Sequence, residues 1–168
     1  MQSYTFSENP EQATIAVLIK DAAFNPSAVD NFYVKRTTVP EERFAIIGLF
    51  YNNKNKVTAA EGKAYITKLL DALSGTNIRT LLVADSNYFK FLTGKQKVKD
   101  SRGYVLPCSI KGFEEFKVVL STNYMAISHN PNHAKDLSLS LKVLSDNYEG
   151  KDKVMNQNSL YQRMRIVG

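Results

Sequence analysis

Four short apolar runs limit what this chain can become. They are Thr14-Ile15-Ala16-Val17-Leu18-Ile19, Phe44-Ala45-Ile46-Ile47-Gly48-Leu49-Phe50, Thr80-Leu81-Leu82-Val83-Ala84 and Phe116-Lys117-Val118-Val119-Leu120-Ser121. Each is rich in β-branched residues, too short for a buried helix and bounded by polar or turn residues. Runs of this kind read as strands covered on both faces. Helical signals stand between them. Asn25-Pro26-Ser27 offers a cap and a first-turn proline ahead of Val29, Phe32 and Tyr33. Thr58-Ala59-Ala60-Glu61 has the form of a capping box, and Ile66, Leu69, Leu70 and Leu73 then form one apolar stripe that stops at Ser74-Gly75. Tyr88, Phe89 and Leu92 suggest a short helix ended by Thr93-Gly94, and Ala134, Leu137, Leu141 and Leu144 form a last stripe. Tyr104 to Cys108 reads as an extended segment, at a sheet edge because of Pro107. The alternation predicts an α/β fold, a three-layer sandwich around a mainly parallel four-stranded sheet with right-handed crossovers.

The chain has 168 residues, enough for one domain, with 43% hydrophobic and 23% charged residues, as in ordinary globular proteins. Residues 1–150 are expected to form that domain. Residues 151–168, polar and rich in Asn and Gln, read as a tail or the start of a linker. No apolar run approaches the length of a membrane helix, and the N-terminus lacks a basic start and an apolar core, so no signal peptide is expected. The single cysteine, Cys108, excludes an internal disulfide and a cysteine-rich metal site. The cytoplasm is the expected compartment, with no membrane partner.

Net charge is +6, and its distribution is uneven. Between Ser86 and Gly112 stand Lys90, Lys95, Lys97, Lys99, Arg102 and Lys111 against Asp100 alone, and Lys151, Lys153, Arg163 and Arg165 follow against Asp152. This is either a nucleic-acid face or a solvated basic surface. Tyr88, Phe89 and Phe91 adjoin the lysine-rich loop, where aromatic rings could stack on unpaired bases or simply pack a short amphipathic helix.

In open α/β sheets ligands gather beyond the carboxyl ends of the strands. Here those places are Lys20 to Asn25, Tyr51 to Asn55, Asp85-Ser86-Asn87 and Thr122 to Asn132. Asp21 and Asp85 could serve as bases, metal ligands or plain helix caps. His129 and His133 have the spacing of two metal ligands on a helix, but Pro131 between them favours a helix boundary. No Gly-x-x-x-x-Gly-Lys or Gly-x-Gly-x-x-Gly sequence is present, and no cofactor or metal is expected.

From Leu81 to Leu144 the order of features resembles the later half of the uracil-DNA glycosylase fold. The carrying segments are Leu82-Val83-Ala84-Asp85, Phe91-Leu92-Thr93-Gly94, Arg102-Gly103, Val118-Val119-Leu120-Ser121 and Tyr124-Met125-Ala126-Ile127-Ser128-His129-Asn130-Pro131. Val17 to Phe24 would take the place of the family's water-activating loop. The wording of Asp85 to Gly94 and of Gly103 to Cys108 is also similar to N-terminal regions of some bacteriophage family A DNA polymerases, which carry a glycosylase-like domain. Asp21-Ala22-Ala23 stands where the family has glycines, and Asn130 separates His129 from Pro131.

The resemblance therefore implies a non-catalytic accessory domain of a phage DNA replication protein, contacting single-stranded or template DNA or a replication partner. Asp21, Phe24, Asn87, His129 and Asn130 match the family's pocket positions. Lys95, Lys97, Lys99 and Arg102 would contact phosphates, with Tyr88 and Phe91 as stacking groups. The alternatives are a divergent glycosylase, with Asp21 activating water and His129 stabilising the leaving base, and a free-standing phage protein that binds a host protein.

Overall fold

The computed structural model describes residues 1–151. Lys153, Arg163, Arg165 and nearly all of the expected tail lie outside the described residues. The chain forms a six-stranded mixed sheet, in the order β1-β3-β2-β4-β6-β5, with four helices. The strands are β1 (Ser3–Thr5), β2 (Ile15–Lys20), β3 (Phe44–Leu49), β4 (Thr80–Val83), β5 (Val105–Pro107) and β6 (Lys117–Leu120). The helices are α1 (Pro26–Phe32), α2 (Ala59–Leu73), α3 (Ser86–Thr93) and α4 (Asn132–Tyr148).

Two strands go beyond the expected set of four. The pairings β2–β3, β2–β4 and β4–β6 are parallel, while β1 joins β3 and β5 joins β6 in antiparallel fashion at the two edges. β1 has only three residues and no apolar run, so its pairing of Ser3, Tyr4 and Thr5 with Ile47, Ile46 and Ala45 depends on a partner far along the chain. β5 was legible because Pro107, which lacks an N–H, ends it at the sheet's margin.

Period-two alternation divides the strand side chains between two cores. Ala16, Leu18, Ala45, Ile47, Leu49, Leu81, Val83, Val118 and Leu120 pack beneath α2 and α3. Ile15, Val17, Ile19, Phe44, Ile46, Leu82 and Val119 pack beneath α1 and α4. The result is three layers, helix–sheet–helix. Thr58 and Glu61 complete the reciprocal cap at the start of α2, and Ile66, Leu69, Leu70 and Leu73 bury its stripe. Each such side chain contributes roughly 1.5–3 kcal/mol of transfer free energy. At the other end of α2, the Arg79 guanidinium donates to the carbonyls of Leu73, Ser74 and Thr76, which matches a cation to the negative end of the helix. Gly94 closes α3 with φ of 72°, the left-handed conformation that glycine takes without steric cost.

Buried polar ties hold the segment after β6 in place. The Tyr33 hydroxyl donates to the Thr122 carbonyl at 2.6 Å and accepts the Tyr124 N–H at 2.9 Å. Tyr124 stacks on Phe32 at 5.0 Å between ring centroids, and its hydroxyl donates to the Ala23 carbonyl. Ser140 donates to the Leu137 carbonyl, which leaves Ser121 as the donor in the 2.7 Å contact between their hydroxyls. The ends of β2 and β6 are thus locked together through α1 and α4. Among the described residues, no helix is long and apolar enough to cross a membrane.

Tyr33→Phe removes a hydroxyl that serves two buried backbone groups. The expected loss of stability is about 1–2 kcal/mol, read from urea unfolding at an unchanged slope.

Candidate functional site

The connections set where a cavity can form. The link from β2 to β3 runs through α1 on one face of the sheet, and the links from β3 to β4 and from β4 to β6 run through α2 and α3 on the other. The neighbouring strands β2 and β4 therefore send their chains to opposite faces, which opens a crevice at their carboxyl ends. A cavity of about 300 Å³ lies there. Its lining comes from all four places named from the sequence: Lys20 after β2, Tyr51 after β3, Asp85, Ser86 and Asn87 after β4, and Ser121, Thr122 and Asn123 after β6. Ala84, Arg102, Ala126 and His133 complete it.

Among the described residues, Asp85 is the only carboxylate in the lining. Its Oδ1 accepts the Tyr88 N–H at 2.9 Å, capping α3, and its Oδ2 accepts the Tyr51 hydroxyl at 2.5 Å. Burial raises its pKa above the ordinary carboxylate value, against the pull of the Tyr51 and backbone hydrogen bonds and the Lys20 charge, which favour ionisation. Burial, with the Asp85 carboxylate beside it, also drives the Tyr51 phenol upward, so this hydroxyl stays a donor. The Lys20 ammonium lies 4.5 Å from the centre of the Tyr51 ring, and the Asn87 amide reaches the Tyr51 oxygen at 3.4 Å. Both sides of the carboxylate are thus engaged within the protein.

The segment after β6 and the end of the basic loop add Arg102, Thr122 and Asn123 to the lining. Arg102 Nε lies 3.6 Å from an Asp136 oxygen on α4, and a terminal guanidinium nitrogen donates to the Thr122 hydroxyl at 3.3 Å. The Asn123 side chain accepts the Met125 N–H, which sets the turn that carries it into the cavity. His133, in the first turn of α4, has a buried Nδ1 without a hydrogen-bond partner among the described residues.

The structure brings some of the expected residues together and separates others. Asn87 and Arg102 line the cavity. Asp21 does not; it lies in an adjoining hollow with Lys20, Tyr51 and the Asn52–Asn55 turn. There its carboxylate occupies the space a Cβ on Gly48 would need. Phe24 is half-buried against the α1–α4 core. His129 and Asn130 are exposed ahead of α4 and outside the cavity, so the nearby histidine that reaches it is His133. Tyr88 requires a correction as a stacking group. It is 0% exposed, and its hydroxyl donates to the Phe50 carbonyl at 2.6 Å. The α3 stripe turns it inward, so no base can reach its ring.

Phe91 is half-buried and lines a separate groove. Lys95, Lys97 and Lys99 are exposed on the loop that leads to Arg102. Among the described residues, no group of three or more His, Cys, Asp or Glu side chains could hold a metal ion. Cys108 is buried, which pushes its thiol pKa up and away from thiolate reactivity. Sequence reasoning placed the strand ends but did not single out Lys20, Tyr51 or Asn123. Their signal was their position immediately beyond an apolar run.

No protein-family model matches the chain, and no curated protein matches its sequence.

Tyr51→Phe removes the donor that favours the ionised carboxylate, so the Asp85 pKa should rise further, as read by carboxyl carbon NMR. A carboxyl raised on folding makes the folded state hold its proton longer than the unfolded chain. Asp85 therefore adds stability at low pH that is lost as pH climbs from 3.8 through its folded value. Asp85→Asn should flatten that part of the pH–stability curve.

Proposed function

We propose that this chain is a non-catalytic, uracil-DNA glycosylase-like accessory domain that contacts DNA, of the type found ahead of the exonuclease and polymerase modules in some bacteriophage DNA polymerases. The observation that carries the reading is the position of Arg102. It follows the lysine-rich loop of Lys95, Lys97 and Lys99 along the chain and also lines the strand-end cavity, which Lys20 shares, so the basic loop leads by a short path of chain to that cavity. Exposed lysines on a loop suit phosphates, and a cavity of amides and hydroxyls at the end of that path suits the polar edge of an unpaired nucleotide. Phe91, half-buried near the start of the loop, is the remaining candidate for stacking.

Binding without chemistry is favoured by the state of the acidic groups. Asp85 is held by Tyr51 and the Tyr88 N–H, while Asp21 and His129 do not share the cavity. A glycosylase that used Asp21 for water and His129 for the leaving base would need both around one bound nucleotide.

Fluorescence anisotropy with labelled oligothymidylate across a salt series tests the proposal. Affinity should fall steeply with salt, by a logarithmic slope of about 0.7 for each phosphate neutralised. The Lys95→Glu, Lys97→Glu, Lys99→Glu triple variant should bind more weakly and with a slope smaller by about two. Absence of binding at low salt removes the DNA-contact reading and leaves protein docking. Release of uracil from uracil-containing DNA overturns the non-catalytic assignment.

A further inference from the structure

The groove that holds Phe91 shares no lining residue with the strand-end cavity and encloses about 490 Å³. One side is the exposed stripe of α2, with Ala59 and Lys63 one turn apart. The other side is the last turn of α3, with Lys90 and Phe91, and beyond it stands Ile110 from the segment after β5. The floor is built rather than incidental. The Phe91 ring lies against Gly62, in the space a Cβ there would fill, and packs edge-on to Tyr88 at 5.3 Å. On the far wall, Ser109 donates both its N–H and its hydroxyl to the Leu92 carbonyl, which holds Ile110 in place. Two lysines flank this apolar floor, and among the described residues none that lines it is acidic.

We propose that this groove docks an acidic peptide segment of a partner protein through one bulky apolar side chain. The apolar anchor would sit over Phe91 and Ile110, and carboxylates on either side would meet Lys63 and Lys90. Charge complementarity identifies the occupant, because a groove with an apolar base and a rim whose charged residues, Lys63 and Lys90, are both cationic disfavours a basic segment. Single-stranded DNA fits less well. The two lysines rim a recess floored by one aromatic ring, and Gly94 and Gln96 at the start of the basic loop close its end. The two readings share only Phe91, and the docking proposal remains testable if the DNA reading fails.

The probe is a fluorescein-labelled peptide of consecutive glutamates ending in leucine and phenylalanine, titrated with the intact protein at low salt. It should bind and weaken as salt rises. Lys63→Glu with Lys90→Glu should lower affinity about tenfold or more. Ala59→Tyr, which fills the groove from an exposed helix position, should also abolish binding, while circular dichroism and melting stay unchanged. Both variants should lower oligothymidylate affinity less than the Lys95, Lys97, Lys99 triple variant does, and the triple variant should lower peptide affinity less than the Lys63 and Lys90 pair does. Failure of the unaltered protein to bind the peptide overturns the proposal. So does equal binding of a peptide with alanines in place of leucine and phenylalanine, which would reduce the contact to bulk charge attraction. Displacement of the peptide by oligothymidylate, with matching losses in the Lys63 and Lys90 variant, overturns it in favour of a nucleic-acid path.

Discussion

The parallel pairing of β2 with both β3 and β4 is the constraint on which everything else depends. It aligns Ile15 with Phe44 on one side and with Thr80 on the other, and β6 continues the same direction beyond β4. Parallel strands cannot be joined by tight turns, so each link must cross a face of the sheet with a helix. The crossings cover both faces, and this requires the strands to be apolar on both sides, as the burial of every residue from Ile15 to Ile19 shows. The common direction also delivers four strand ends to one edge. A polar cavity at that edge is a consequence of the pairing, since the backbone leaves the sheet there and the apolar cores end.

Within the cavity, burial and hydrogen bonding act on the same few groups. Asp85 joins the cap of α3 to the Tyr51 hydroxyl, so the residue that starts a helix also anchors the loop after β3. Tyr33 and Tyr124 do the corresponding work for the loop after β6. These ties hold the lining in a set geometry without consuming Arg102, Lys20, Asn123 or Asn87 entirely. The side chains left facing the cavity are cations, amides, hydroxyls and the His133 imidazole. Phe91 illustrates a second use of the same helix. Tyr88 and Phe89 turn inward from α3, while Phe91 leans on Gly62 and forms the floor of a groove at the other end of that helix from the Asp85 cap.

Much of this fold was legible in the residues, and for local reasons. Strands β2, β3, β4 and β6 follow from β-branched apolar runs, and α2 follows from a capping box and a stripe, which depend on neighbours within a turn or two. The Asn25 cap of α1 and the Gly94 end of α3 belong to the same class. The four places that line the cavity were also readable, because a strand end needs no knowledge of its partners. β1 was not readable. Its polar three-residue segment takes its conformation from β3, whose edge it covers.

The individual site residues depended on three-dimensional placement. Spacing alone could not say whether His129 or His133 would reach the cavity; the first turn of α4, fixed by Ser140 and Leu137 packing behind it, decides for His133. Aromatic residues beside lysines looked alike in the sequence, yet the rotation of α3 against α2 buries Tyr88 and leaves Phe91 half-open. Charge shows the same division. The amino-acid sequence determines that the second half of the chain is basic, since composition needs no fold. Only the tertiary structure assigns Arg79 to a helix end, Arg102 to the cavity, Lys90 to the groove and Lys95, Lys97 and Lys99 to the surface. Hydrophobic periodicity and capping act over a few residues and are written in the chain, whereas burial and the meeting of distant side chains exist only after the sheet has formed.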